Sequence, residues 1–222
     1  DVGMAGVNEE AKAGQKAGER RLVRAGRPPL TERRREAVRL EIARAAVDLF
    51  TDRGVEGVSA SDIAAAVGIS TRTLWRYFPS KEECVAPLLA LGVQRLTRRL
   101  SEQPADEPLL EAVQHGDWLT GEGPDTARLV LDLMRLTRLE PGLQAVWMRQ
   151  TYTAHPAVAD VFAQRAGRDE ASLEDDVQAA MLLSAMHVAV RDFAWSRSGK
   201  DYETLADALR YAATVAARGL PR

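Results

Sequence analysis

The chain has 222 residues, of which 45% are hydrophobic and 28% charged, enough to bury one good core or two small ones. Its apolar stretches are broken by charge well short of the roughly 18 residues a membrane span needs, and it opens with no charged start, apolar run and cleavage site. Membrane insertion and secretion are not expected, and a cytoplasmic location is. A lone cysteine, Cys84, has no partner in the chain for a disulfide. His115, His155 and His187 lack metal-ligand spacing, so neither a metal nor any other cofactor is expected. Strand-like alternation never persists for more than a few residues, which predicts an all-α fold of about nine or ten helices.

The net charge of −2 conceals a sorting of charges along the chain. Arg20 to Lys81 contain 13 Lys/Arg against 7 Asp/Glu, whereas Glu82 to Arg222 contain 15 against 21. A basic N-terminal third joined to an acidic remainder suggests two tasks, one of them with a polyanion.

Residues 1–30 read as a disordered arm, basic towards its end, where Arg20, Arg21, Arg24 and Arg27 precede Pro28-Pro29. Thr31 is a plausible cap for an amphipathic helix of about six turns, with apolar positions Val38, Ile42, Ala45, Ala46, Leu49 and Phe50 and a stop at Gly54. Val58 to Glu83 then reads as two short helices around a tight turn. Ser59 caps the first, whose apolar face is Ile63, Ala64 and Val67, and Gly68 supplies the left-handed turn. Ser70 caps the second, which buries Leu74 and Phe78 and leaves Thr71, Arg72, Thr73, Trp75, Arg76 and Tyr77 outward. Hydroxyls, guanidinium groups and aromatic rings on a helix of this size suit base edges, thymine methyls and phosphates in a major groove roughly 12 Å wide.

Arg39 to Leu89 resembles the DNA-binding domain of the tetracycline-repressor (TetR) family. The likeness is carried by Phe50, Gly54, Ser59, the run Ala64, Gly68, Ile69, Ser70, the run Thr73-Leu74-Trp75-Arg76-Tyr77-Phe78, and Lys81-Glu82. Trp75 departs from the pattern, standing where the family usually has a tyrosine whose hydroxyl meets a phosphate. The resemblance implies backbone contacts for Tyr77 and Lys81, so the expected DNA-facing set is Arg27, Ser59, Ser70, Thr71, Arg72, Thr73, Trp75, Arg76, Tyr77 and Lys81. It also implies a DNA-binding unit over 31–80 and a ligand-binding and dimerisation unit over 81–222.

The acidic remainder predicts helices over Glu82–Leu100, Glu107–Leu119, Thr126–Leu139 with Asp125 as cap, a segment from Pro141 that Pro156 interrupts and Gly167 ends, Leu173–Ser196 and Tyr202–Arg218. Leu173–Ser196 is apolar on two sides: Val177, Ala180, Met181, Ser184 and Val188 form one stripe, Leu182, Leu183, Met186, Val190 and Phe193 another. Two apolar faces want two partners. In the TetR family the last two helices pair with those of a second subunit, and Ala206, Ala208, Ala212, Ala213, Ala216 and Ala217 would allow close approach. Trp118, Met134, Trp147, Met148, Tyr152, Met181 and His187 are the expected lining of a cavity for a largely apolar small molecule, although each residue type also serves as plain core. Cys84 at a helix start reads either as a slightly acidified thiol or as inert.

The reading is a homodimeric transcriptional regulator, a repressor released from a palindromic duplex operator by a small-molecule effector, with no enzymatic step. Its rivals are a helical enzyme or acyl-ligand carrier, and an interaction module that no longer reads DNA. No Walker A loop, H-E-x-x-H or G-x-S-x-G supports the first, and Arg72, Arg76 and Lys81 speak against the second.

Overall fold

The computed structural model describes residues 30–104, 107–114, 124–195 and 204–219. Arg27 with the rest of the expected arm, and Trp118, lie outside them. Ten α-helices follow one another in the described residues: α1 (Leu30–Arg53), α2 (Ala60–Ala66), α3 (Thr71–Tyr77), α4 (Ala86–Glu102), α5 (Leu109–Gln114), α6 (Pro124–Leu136), α7 (Pro141–Thr153), α8 (His155–Arg165), α9 (Leu173–Trp195) and α10 (Leu205–Arg218). A 3₁₀ turn, Glu82–Val85, precedes α4. No strand occurs among the described residues, and none of their helices is long and apolar enough to cross a membrane.

The inward stripe of α1 is Ile42, Ala43, Ala46, Val47 and Phe50, all fully buried at helical spacing. Gly54 ends the helix at φ +71, with its N–H bonded to the Phe50 carbonyl at 2.9 Å. Two departures from the predicted boundaries trace to proline. Instead of one helix from Glu82, the chain makes the 3₁₀ turn and starts α4 at Ala86, because Pro87 lacks an N–H and fits only the first helical turn. Pro124 likewise opens α6, so Asp125 lies inside the helix and is not its cap, and α6 ends at Leu136. Pro156 breaks the predicted segment as expected: α7 stops at Thr153 and α8 begins at His155.

Between α8 and α9 the turn is held electrostatically. Arg168 donates to both oxygens of Asp175 at 2.5 and 2.7 Å, and the Ser172 N–H donates to the same carboxylate at 2.7 Å. These bonds hold Asp175, only 3% exposed, well below the usual carboxylate range, the Arg168 contact being the largest cause.

The two stripes of α9 have different fates. Leu183, Met186 and Val190 are buried, and Leu205, Ala208, Leu209 and Ala213 of α10 join the same core. On the outward side Val177, Met181 and Val188 remain exposed, and Met181 and Val188 share a groove with the exposed Tyr211 and Val215 of α10. A groove of about 480 Å³ runs between these last two helices.

Candidate DNA interface and effector cavity

The sequence builds the helix-turn-helix locally. Ser59 and Asp62 form a reciprocal capping box: the Asp62 N–H donates to Ser59 Oγ at 3.2 Å, and the Ser59 N–H to Asp62 Oδ2 at 2.8 Å. At the turn Gly68 takes φ +68, and the Ile69 N–H returns to the Ala64 carbonyl at 3.0 Å. An L side chain there would strain the turn by about 1–2 kcal/mol. Ser70 Oγ accepts from the Thr73 N–H at 3.1 Å and starts α3. Leu74 and Phe78 anchor α3 to the α1 core, which leaves the face bearing Arg72, Trp75 and Arg76 towards solvent. Trp75 on that face is 46% exposed.

The expected residues divide by what already occupies them. Thr71, Thr73 and Tyr77 are half-buried along the same helix. The hydroxyls of Ser59 and Ser70 are engaged with Asp62 and Thr73 respectively. Lys81 behaves differently from a free backbone-contacting lysine. Its Nζ donates to the carbonyls of Val55 at 2.7 Å and Val58 at 3.1 Å, tying the α1–α2 loop to the end of the recognition helix.

Two arginines absent from the expected set stand at the same place. The Arg35 guanidinium lies 5.9 Å from the centre of the Tyr77 ring and that of Arg76 lies 5.7 Å from it, so two cations share one ring. Arg39 lies over the Phe78 ring at 4.7 Å and donates to the Tyr77 carbonyl at 3.2 Å, a cationic cap on the C-terminus of α3. The basic run Arg33-Arg34-Arg35 was the available signal. Which of its members reaches Tyr77 depends on the angle between α1 and α3.

Of the expected cavity residues, three meet. Trp147, Met134 and His187 line one hollow of about 70 Å³, together with Leu89 and Leu96 of α4 and Met186 of α9. The rings of Trp147 and His187 stack with centroids 3.8 Å apart and planes 18° from parallel. Burial first, and the Arg191 cation second, hold the imidazole pKa below its ordinary value. Met148 and Tyr152 lie outside that hollow. They flank an outer depression of about 230 Å³ with His155, Ser184 and Val188, on which Thr151 and His187 also border. Met181 departs from expectation altogether and sits on the outward side of α9, on the groove facing Tyr211 and Val215. Cys84 is buried and its thiol is pushed up to about 12 by burial and then by Glu82, so the acidified reading is excluded.

The helix carrying Trp147 also reaches the 3₁₀ turn that follows α3. Gly142 at the start of α7 lies against Glu82, where a Cβ would stand 3.0 Å from Glu82 Cγ, and Arg149 pairs with Glu83. Arg128 of α6 pairs with Asp48 of α1 at 2.8 Å.

A capped, glycine-turned helix pair with a basic and aromatic outer face, mounted on a helical body that encloses an apolar hollow, defines a helix-turn-helix DNA-binding regulator. Residues 42–88 match the family described as bacterial regulatory proteins, tetR family, and residues 109–221 match the MftR C-terminal domain. The chain is similar to the HTH-type transcriptional regulator TcmR of Streptomyces glaucescens, 31% identical over 169 residues that cover 71% of each chain. It is 40% identical to the HTH-type transcriptional repressor Rv3405c of Mycobacterium tuberculosis over 84 residues, 35% of this chain and 45% of that one. Among solved structures, Salmonella enterica GusR superposes with a TM-score of 0.50 at 22% identity, covering 82% of this chain and 96% of that one, a likeness of fold. The chain belongs to the TetR family of transcriptional regulators.

Proposed function

We propose that this regulator is a homodimeric repressor that binds a two-fold operator through α3 of each subunit and leaves it when a small molecule occupies the hollow at Trp147 and His187. In this reading residues 31–80 form the DNA-binding unit and 81–222 the effector and dimerisation unit. The outward apolar row of α9 and α10, Met181, Val188, Tyr211 and Val215, is the surface on which the second subunit packs.

One observation carries the switch. Leu89 and Leu96 of α4 and Trp147 of α7 wall the hollow, and both helices also reach the 3₁₀ turn that follows α3: α4 continues from it, and α7 touches it through Gly142 and Arg149. A ligand that spreads α4 from α7 therefore displaces the base of the recognition helix. It shifts the DNA equilibrium only by its preference for the spread arrangement, and a coupling of about 1–3 kcal/mol lowers operator affinity roughly 5- to 150-fold.

The direct test is salt-titrated binding of the purified chain to duplex DNA selected from a random pool. The wild type should bind with an affinity that falls steeply with salt, and Arg76→Ala should weaken binding to every sequence. A folded chain without affinity for any duplex would favour the carrier reading.

A further inference from the structure

The hollow behind His187 and the depression in front of it share two lining residues, Thr151 and His187. The Thr151 hydroxyl is spent on the Trp147 carbonyl, to which it donates at 3.1 Å. His187 differs: it is half-buried, its ring contact is the stack on Trp147, and neither imidazole nitrogen has a hydrogen-bond partner among the described residues. The inner space of about 70 Å³ holds little more than two waters, and the outer one of about 230 Å³ is open. Together the two spaces amount to roughly 300 Å³, the lower end of the range for small-molecule sites.

We infer that His187 is the gate between these spaces, and that the molecule admitted is a flat, uncharged aromatic compound with one hydrogen-bonding group, its ring taking the place of the imidazole against Trp147 and its polar group bonding to the displaced His187. This rests on the effector reading above and specifies its ligand.

The chemistry of the walls selects the class. Trp147 offers a flat face already spaced for a stacked ring at 3.8 Å, and Met134 and Met186 supply deformable apolar contact around it. Neither lining includes Asp, Glu, Lys or Arg, so a charged ligand would be left unpaired in an apolar site. A flexible aliphatic chain buries apolar surface there but lacks the added stacking preference of an aromatic ring and loses more conformational freedom. Because its burial keeps the imidazole neutral near pH 7, His187 can accept from a hydroxyl or donate to a carbonyl.

The test uses the full chain and four probes of matched bulk, titrated calorimetrically at pH 7.5: 2-naphthol, naphthalene, 2-naphthoate and 1-decanol. 2-Naphthol should bind tightest, about tenfold tighter than naphthalene for its one hydrogen bond, and at least about tenfold tighter than the anion. His187→Leu should bring 2-naphthol down to the level of naphthalene while changing naphthalene less than about twofold, a pattern that a variant merely damaged in its fold cannot give. Trp147→Leu should weaken both rings together. Tightest binding of 1-decanol or 2-naphthoate, or equal loss of 2-naphthol and naphthalene in His187→Leu, would overturn the assignment. A chain that binds duplex DNA yet takes none of the four probes overturns this ligand class alone, whereas a folded chain without DNA affinity overturns the regulator reading whatever the titrations give.

Discussion

Trp147 of α7 and His187 of α9 stack face to face 3.8 Å apart, although 40 positions separate them in the sequence. The pair lines the hollow between α4, α6, α7 and α9. Burial of the imidazole first, and the Arg191 cation second, hold its pKa below the ordinary histidine value.

That pairing has a pH consequence. A histidine whose folded pKa lies below its unfolded value of about 6.5 adds no pH-dependent loss above that value, but below it the unfolded chain takes up a proton first. Stability attributable to His187 is therefore present above about pH 6.5 and lost as pH falls through the folded pKa. Urea midpoints measured from pH 7.5 to pH 5 should drop further for the wild type than for His187→Phe. Parallel curves would show that the imidazole is not held neutral by the fold.

The two cations at the Tyr77 ring predict that Arg35 and Arg76 each neutralise a phosphate of the bound duplex. Arg35→Ala should weaken binding to all sequences and flatten the slope of log affinity against log salt by about 0.9. Arg72→Ala, on the outward face of α3, should instead change the preferred base at one position. Fluorescence anisotropy over a salt series, with matched and mismatched duplexes, separates the two effects. An unchanged slope for Arg35→Ala would remove it from the interface.

On the helix proposed for the dimer face, the structure separates a buried alanine from an exposed valine. Ala213 is 2% exposed and belongs to its own subunit's core, whereas Val215, two residues on, is 46% exposed beside Tyr211. Val215→Glu should give folded monomers with little operator affinity, while Ala213→Glu should destabilise the subunit itself. Ultracentrifugation with circular dichroism reads both. A fully dimeric Val215→Glu variant would move the interface elsewhere.

What the sequence made legible was local. The capping Ser59 and Ser70 and the glycine turn at Gly68 act over at most five residues, so their types and spacing specify the helix pair locally, and the spacing of Leu74 and Phe78 marks the face that packs on α1. Helix boundaries failed where a proline set them, at Pro87 and Pro124, and at the start of α1, which opens at Leu30 and takes the expected cap Thr31 into the helix. The candidate site was legible by residue type and not by direction. α9 is apolar on two sides, and only the placement of its neighbours decides that Met186 faces the hollow towards α4, α6 and α7 while Met181 faces the groove towards α10. The bonds of Lys81 to the Val55 and Val58 carbonyls, and the contact of Gly142 with Glu82, use backbone or the absence of a side chain, which leave no pattern to read.

Lys81 makes that last distinction measurable. If its role is to hold the α1–α2 loop, Lys81→Met should lower thermal stability and affect DNA binding chiefly through loss of folded protein, with a nearly unchanged salt slope in the folded fraction. A slope reduced by about one with stability intact would instead assign Lys81 a phosphate of its own.

The central claim is that two copies of α3 read one two-fold site. One recognition helix of seven residues offers too few base contacts for specific affinity, so two must enter the major groove about one helical turn, roughly 34–36 Å, or a multiple of it, apart. Duplexes selected from a random pool by the wild-type chain, sequenced and footprinted with hydroxyl radicals, should show an inverted repeat with two protected tracts separated by whole turns on one face of the DNA. Enrichment of a single asymmetric half-site, or uniform protection without a preferred sequence, would contradict it.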